Sequence, residues 1–329
     1  MSRNLKNIIC NDNKHLIEYI IYLDECKMST NTNLSLKDPG PWIIAIHITH
    51  NCNLTCDSCS DMTNIGLNWM ISKDEFVSWI KNWNGRIKPD QFHILGGEPT
   101  LHKDLEEFLY LARELWGPDQ EIRLMSNGFF VDRHKNLGKV LKETNTSIDI
   151  GLHSKEKDYL GKLKDNIILM KKWRKDEGTT VNFMDFTEEG SGWNPSGRTW
   201  RRIYKGYGAS MLPYEDNDPE SSWENCWMDG ARCFQLYQGN LWKCPPITYL
   251  SEAKKKYGDL LSEKWDPYLA YEPLKPECSD EELMQFWKSE CLSICSMCPA
   301  KPHYIDNLKN PLMSVSQSEK YYQSTEPVT

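Results

Sequence analysis

The sequence predicts an α/β fold: a parallel sheet with helices outside it, followed by a smaller unit built from a β-hairpin, helices and cysteines. Three observations predict it. From residue 42 to residue 186 short apolar runs alternate with amphipathic stretches, and this βαβα rhythm implies a parallel sheet. An acidic, Pro- and Asn-containing connector at 213–222 then breaks the pattern. After it come Cys226, Cys233, Cys244, Cys278, Cys291, Cys295 and Cys298, seven of the twelve cysteines in a chain of 329 residues. That length allows one large domain, or one domain plus a smaller one.

The elements follow in order. Residues 15–27 form an amphipathic pattern with Leu16, Ile20 and Leu23 on one face. Residues 29–40 are rich in Asn, Ser and Thr and end at Pro39-Gly40, a linker. Strands are expected at 42–49, 91–95, 121–125, 147–152 and 179–186, and helices between them at 73–83, 105–116, 133–144 and 155–175. Ser72 and Asp104 are candidate N-caps, and Glu75 completes a capping box with Ser72. A sixth strand–helix unit is sought within 198–212. Residues 234–237, the turn Gln238-Gly239-Asn240 and residues 241–242 read as a hairpin. The division expected is 1–40, a helical extension and linker; 41–212, the main α/β domain; 213–312, the cysteine-rich unit; and 313–329, a Ser/Gln/Tyr-rich flexible tail.

Composition excludes several functions. The formal charge of −8 argues against a general nucleic-acid surface or an anionic-membrane surface. No apolar stretch approaches the roughly 20 residues of a membrane span. The start MSRNLKNIIC has no long apolar segment and no cleavage pattern, so a cytoplasmic location is expected. In that setting clustered cysteines read as metal ligands rather than disulfides.

Three of them carry the sharpest signal. Cys52, Cys56 and Cys59 stand in NCNLTCDSCS, directly after the first strand. Three thiolates on one loop suit three irons of a [4Fe–4S] cube and leave the fourth iron open. Alone, the spacing also fits a zinc site. The second strand ends in Gly96-Gly97-Glu98-Pro99. Alone, that sequence also fits an ordinary strand-to-helix turn.

Together the two motifs resemble the radical S-adenosylmethionine (radical SAM) enzymes. The resemblance implies a partial (β/α)6 TIM-like barrel. It implies that Cys52, Cys56 and Cys59 hold a [4Fe–4S] cluster whose open iron chelates S-adenosylmethionine (SAM). Gly96, Gly97 and Glu98 would then meet the methionine amino group, with the glycines admitting close backbone approach and Pro99 fixing the turn. Ser126, Asn127 and His153 stand at the ends of the third and fourth strands, the active-site face of such barrels. They are candidates for SAM, with turn chemistry and a structural His153 as the alternatives. His47, Asn182 and Asp185 are further polar positions on strands, either facing the interior or satisfied in the core. Many family members carry an aromatic residue just before the third cysteine; here it is Ser58, so adenine packing must come from elsewhere.

The later cysteines resemble the auxiliary-cluster extensions called twitch and SPASM domains. The single late C-x₂-C favours the shorter twitch form, with Cys226, Cys244, Cys295 and Cys298 around a second [4Fe–4S] cluster. Cys233 and Cys291 are alternates, and a zinc knuckle of the same thiolates is the competing reading. Cys10, Cys26 and Cys278 look isolated.

The expected activity is reductive cleavage of SAM to a 5′-deoxyadenosyl radical, which takes hydrogen from a substrate C–H bond. The electron would come from a reductant such as flavodoxin or ferredoxin. The net reaction expected is oxidation or epimerisation of a small molecule such as a sugar derivative. Cys233 and Cys291 are candidate hydrogen donors. Thirteen tryptophans suit sugar stacking or plain core packing. Arg198, Arg201 and Arg202 suit either an anionic substrate or a solvated helix face. Peptide modification is the alternative chemistry. A non-catalytic iron–sulfur or zinc scaffold is the alternative of another class.

Overall fold

The structure, a computed structural model, describes residues 42–83, 85–185, 200–226, 232–305 and 311–325. The helix expected at 15–27, Cys10, Cys26 and Arg198 lie outside the described residues.

The strands are β1 (Ile43–Thr49), β2 (Gln91–Gly96), β3 (Glu121–Ser126), β4 (Thr146–Leu152), β5 (Val181–Asp185), β6 (Trp200–Arg202), β7 (Cys233–Tyr237), β8 (Asn240–Trp242) and β9 (His303–Ile305). Helices α1 (Lys73–Lys81), α2 (Leu105–Trp116), α3 (Leu137–Glu143) and α4 (Lys157–Lys172) cross over between the first five strands. Beyond them come α5 (Pro219–Glu224), α6 (Pro245–Tyr257), α7 (Asp266–Leu269), α8 (Asp280–Lys288) and α9 (Val315–Thr325). Crossover helices force parallel neighbours, because a parallel return needs a long connection. The expected capping box at Ser72 and Glu75 is present. Asp104 occupies an N-cap position, but its side chain makes no capping bond.

The main sheet has seven strands in the order β5-β4-β3-β2-β1-β7-β8. All neighbours pair in parallel except β7 with β8. The sheet is an open, partial TIM-like arrangement with β5 and β8 as its edges. Along β1, Ile44, Ile46 and Ile48 enter the large apolar cluster beneath the helices, while Ile43 and Ala45 face the other side with Cys233.

Two features correct the sequence expectation. The sixth strand, sought in 198–212, forms at Trp200–Arg202 but pairs antiparallel with β9 in a separate two-stranded sheet. Its three residues, Trp-Arg-Arg, are all only half-buried, so it cannot serve as an interior strand. The place beside β1 goes to β7, Cys-Phe-Gln-Leu-Tyr, which is buried along its whole length as a parallel interior strand must be. The predicted hairpin therefore extends the main sheet. Gln238 and Gly239, both at positive φ, make its two-residue turn.

The second correction concerns the end of the chain. The tail expected to be loose contains a docked helix, α9, with Ser318 fully buried and Tyr322 5% exposed. Val315, Ser318 and Tyr322 repeat at helical spacing and form its inner face. That face is half polar, so composition concealed it.

Candidate functional site

The three-cysteine loop leaves the C-terminal end of β1 and is strapped to the end of β2. The Gly97 N–H donates to the Thr49 carbonyl (2.9 Å) and the Glu98 N–H to the Asn51 carbonyl (2.7 Å). These contacts explain the two glycines. A Cβ on Gly96 would fall on the Thr49 carbonyl oxygen. A Cβ on Gly97 would fall on the Asn51 carbonyl and stand 2.9 Å from the Cys52 Cβ. The close approach that requires glycine here is to the cysteine loop itself.

Cys52, Cys56 and Cys59 line one cavity of about 260 Å³. Gly96 and Gly97, Ser126 and Asn127, and His153 share its wall. The strand-end residues singled out from sequence thus converge on the cysteine loop. Glu98 and Pro99 stand behind that wall. The Glu98 carboxylate, fully buried, accepts from the Thr100 N–H (3.0 Å) and hydroxyl (2.5 Å), the Ser126 hydroxyl (2.7 Å) and the Asn127 N–H (2.7 Å). Burial pushes its carboxyl above the ordinary range, and the donors pull it back. Pro99 opens the short 3-10 turn Pro99–Leu101. Asn127 also donates to Asn53 on the cysteine loop (2.9 Å).

Burial pushes the Cys59 thiol up to about 11, and those of Cys52 and Cys56 further, with the neighbouring thiols adding to the effect. Thiolates there are costly unless a cation shares their charge, and soft sulfur donors select iron. The donor set and the room beside it fit an iron–sulfur cluster. Among the described residues no group of three or more His, Cys, Asp or Glu side chains is gathered around one point as a single metal ion requires.

Sequence reasoning missed what grips the loop from the far side. Ser58 has a left-handed backbone (φ 51°) and is 2% exposed. Its hydroxyl oxygen accepts from the Ile203 N–H at 2.8 Å. Asp57 pairs with Arg202 (2.6 Å), and its carbonyl accepts from the Trp200 indole N–H (2.7 Å). Asn64 donates to the Cys56 carbonyl (2.7 Å). An aromatic ring at position 58 would displace that anchor. Ser58→Ala is expected to cost about 1 kcal/mol in urea unfolding, because the part-buried Ile203 N–H loses its acceptor. Trp200, half-buried and edge-on to His153 (5.3 Å), lines the cavity with Arg201. The only signal for these residues was their aromatic and basic character.

Deeper in the cavity lie His93 and Asp149. His93 shares a hydrogen bond with Gln91 (2.9 Å). Asp149 pairs with Arg123 (3.1 Å) and accepts from Asn182 (2.7 Å). Burial holds the imidazoles of His93 near 3 and His153 near 4, so both are neutral at ordinary pH. His47 is fully buried, stacked on Tyr249 (4.1 Å) and 3.3 Å from Asp61. The Asp185 side chain lies outside the described residues.

A second cavity, of about 100 Å³, is lined by Cys226, Cys244, Cys295 and Cys298. Cys226 follows α5, Cys244 caps α6, and Cys295 and Cys298 flank the end of a 3-10 turn at Ser293–Met297. Lys243 also lines it, with its ammonium held by Ser289. Cys233 borders both cavities. Cys291 is exposed and is not among the residues lining either cavity.

Residues 46–175 match the family model described as the Radical SAM superfamily. A GTP 3′,8-cyclase of Staphylococcus saprophyticus is 28% identical over 114 residues, 32% of this chain and 33% of that protein. A probable GTP 3′,8-cyclase of Saccharolobus solfataricus is 30% identical over 121 residues, 36% of this chain and 37% of that one. The chain thus spans about a third of the length of these relatives. The solved structure of BtrN in complex with AdoMet and 2-DOIA is 15% identical, with a TM-score of 0.45 over 81% of this chain and 98% of that one. No helix among the described residues is long and apolar enough to cross a membrane.

Proposed function

We propose, from the match of residues 46–175 to the Radical SAM superfamily model, that the protein cleaves SAM reductively and oxidises a small molecule, such as a sugar derivative, at an unactivated C–H bond. The observation that carries this reading is the convergence of Cys52, Cys56 and Cys59 with Gly96, Gly97, Ser126, Asn127 and His153 on one cavity. A [4Fe–4S] cluster held by Cys52, Cys56 and Cys59, with SAM beside it, would supply the hard chemistry there, reductive cleavage of SAM and abstraction of a substrate hydrogen atom, given one electron from an external reductant.

The chain's own residues bind, orient and exclude water. The three thiolates hold the cluster. Gly96 and Gly97 bring backbone to the ligand's side of the cavity, and Ser126 and Asn127 offer polar groups at the end of β3. Neutral His153 and Trp200 face the substrate's space. Cys226, Cys244, Cys295 and Cys298 line the second cavity and would hold a second iron–sulfur cluster, which would supply the acceptor for the electron left on the substrate while the proton passes to solvent. Soft thiolate donors at that spacing support a second iron–sulfur cluster there.

A second reading rests on Cys233. Cys233 lines the larger cavity; as donor of a hydrogen atom to the substrate radical it would become a thiyl radical, restored by one electron from the external reductant and a proton from solvent, and the net reaction would be an epimerisation. Incorporation of solvent deuterium without net oxidation would favour that reading over oxidation.

The test is anaerobic reconstitution with iron and sulfide, reduction with dithionite, and chromatography for 5′-deoxyadenosine. SAM-dependent 5′-deoxyadenosine is the expected product. An intact cluster that cleaves no SAM overturns the proposal and leaves a non-catalytic scaffold. The same assay takes a peptide pool and GTP, the compound in the curated relatives' names, as alternative substrates. Turnover of either would replace the small-molecule oxidation.

A further inference from the structure

The end of the chain returns to the three-cysteine loop and binds it through buried hydroxyls. Thr55 lies between Cys52 and Cys56. Its N–H donates to the Pro311 carbonyl at 2.8 Å. Its hydroxyl lies 3.3 Å from the Pro311 carbonyl and 3.1 Å from that of Met313. The Ser318 hydroxyl, on α9, donates to the Thr55 hydroxyl at 2.9 Å. Thr55 is 6% exposed and Ser318 not at all. A hydroxyl has one proton to give and lone pairs to accept with. The carbonyls of 311 and 313 only accept, so the single Thr55 proton goes to them and Ser318 must be the donor to the Thr55 oxygen.

A second path joins the same elements. Tyr322 of α9 stacks on Tyr207, centroids 5.2 Å apart and planes at 10°. The Tyr207 hydroxyl donates to the Asn64 carbonyl, and the Asn64 amide donates to the Cys56 carbonyl. The loop is thus closed in a ring: Cys56, Asn64, Tyr207, Tyr322, along α9 to Ser318, then Thr55. Such a ring adds little apolar burial beyond the tyrosine stack. It constrains where the backbone on either side of Thr55 stands, and so where the thiols of Cys52 and Cys56 point.

We propose that Thr55 and Ser318 are positioning residues for the three-cysteine loop, and that α9 thereby sets how firmly that loop holds its cluster. This rests on the reading of Cys52, Cys56 and Cys59 as cluster ligands. Groups that orient metal ligands typically change metal affinity 10–100-fold when removed.

The test uses the full-length reconstituted protein with Ser318→Ala, Thr55→Val, both together, and Thr55→Ser. Two quantities are read anaerobically: iron release to a chelator, and the part of the reduced protein's EPR spectrum that changes when SAM is added. Only a cluster that SAM reaches contributes to the second. Ser318→Ala and Thr55→Val are expected to release iron about 10-fold faster and to alter the SAM-responsive signal. Thr55→Ser should restore both, and the double variant should be no worse than Thr55→Val alone, since the two hydroxyls act as one unit. Release within about twofold of the parent with an unchanged signal overturns the positioning role, as does full additivity of the two substitutions. A parent spectrum indifferent to SAM overturns the ligand assignment itself. Far-UV circular dichroism identifies any variant that fails to fold, and the folded one of Ser318→Ala and Thr55→Val then decides the proposal by the same two quantities.

Discussion

Cys56→Ala is expected to reduce SAM-dependent 5′-deoxyadenosine to background and to lower bound iron from that of two clusters to that of one. Cys56 is the middle cysteine of its loop and 6% exposed. Its carbonyl is tied to Asn64, so the backbone stays in place when the thiol is removed and the loss falls on the metal site. Alanine offers no donor atom in place of the soft sulfur that iron–sulfur clusters favour. Cys226→Ala is the complementary measurement. It should lower iron by the same amount while leaving SAM cleavage in place, because Cys226 lines only the smaller cavity. Iron analysis and product chromatography on the two variants separate the two sites. If Cys56→Ala loses all its iron, the second cluster is refuted. If it retains cleavage, the assignment of the first is refuted.

Local features of the fold were legible in the sequence. The period-two and period-3.6 runs between residues 42 and 186 placed β1 to β5 and α1 to α4 within a few residues, because each buries its own apolar face in a repeating environment. The cysteine loop and the glycines after β2 were legible too, though the structure alters the reason for Gly97: its missing side chain leaves room for Asn51 and Cys52. Contacts between distant residues could not be read this way. Nothing local to Ile43 or Cys233 announces that they pair across the sheet. Ser58 looked like a departure from a pattern until Ile203 supplied the N–H that it accepts. Ser318 and Tyr322 carry an inward face written in polar and aromatic residues, and hydropathy does not register such a face.

Glu98 illustrates how much one residue of a short motif can hold. Its carboxylate is the shared acceptor for Thr100 after β2 and for Ser126 and Asn127 at the end of β3. It therefore joins two strand ends that both border the larger cavity. In Glu98→Ala the donors on Thr100, Ser126 and Asn127 lose their fully buried acceptor. Orphaned buried donors cost about 1–3 kcal/mol each, partly recovered by relaxation, so a net loss of about 3–5 kcal/mol is expected. Glu98→Gln keeps the shape and one acceptor oxygen but turns an NH₂ toward the Asn127 N–H or the Ser126 hydroxyl. It should lose about half as much. Urea unfolding of the cluster-free protein measures both, without interference from metal. If Glu98→Ala costs less than about 1 kcal/mol, the carboxylate is not the tie between β2 and β3, and its buried charge must serve a bound ligand instead. In the expected outcome, Glu98→Gln should also raise the SAM concentration needed for cleavage, because Ser126 and Asn127 lose the charge that orients them at the cavity wall.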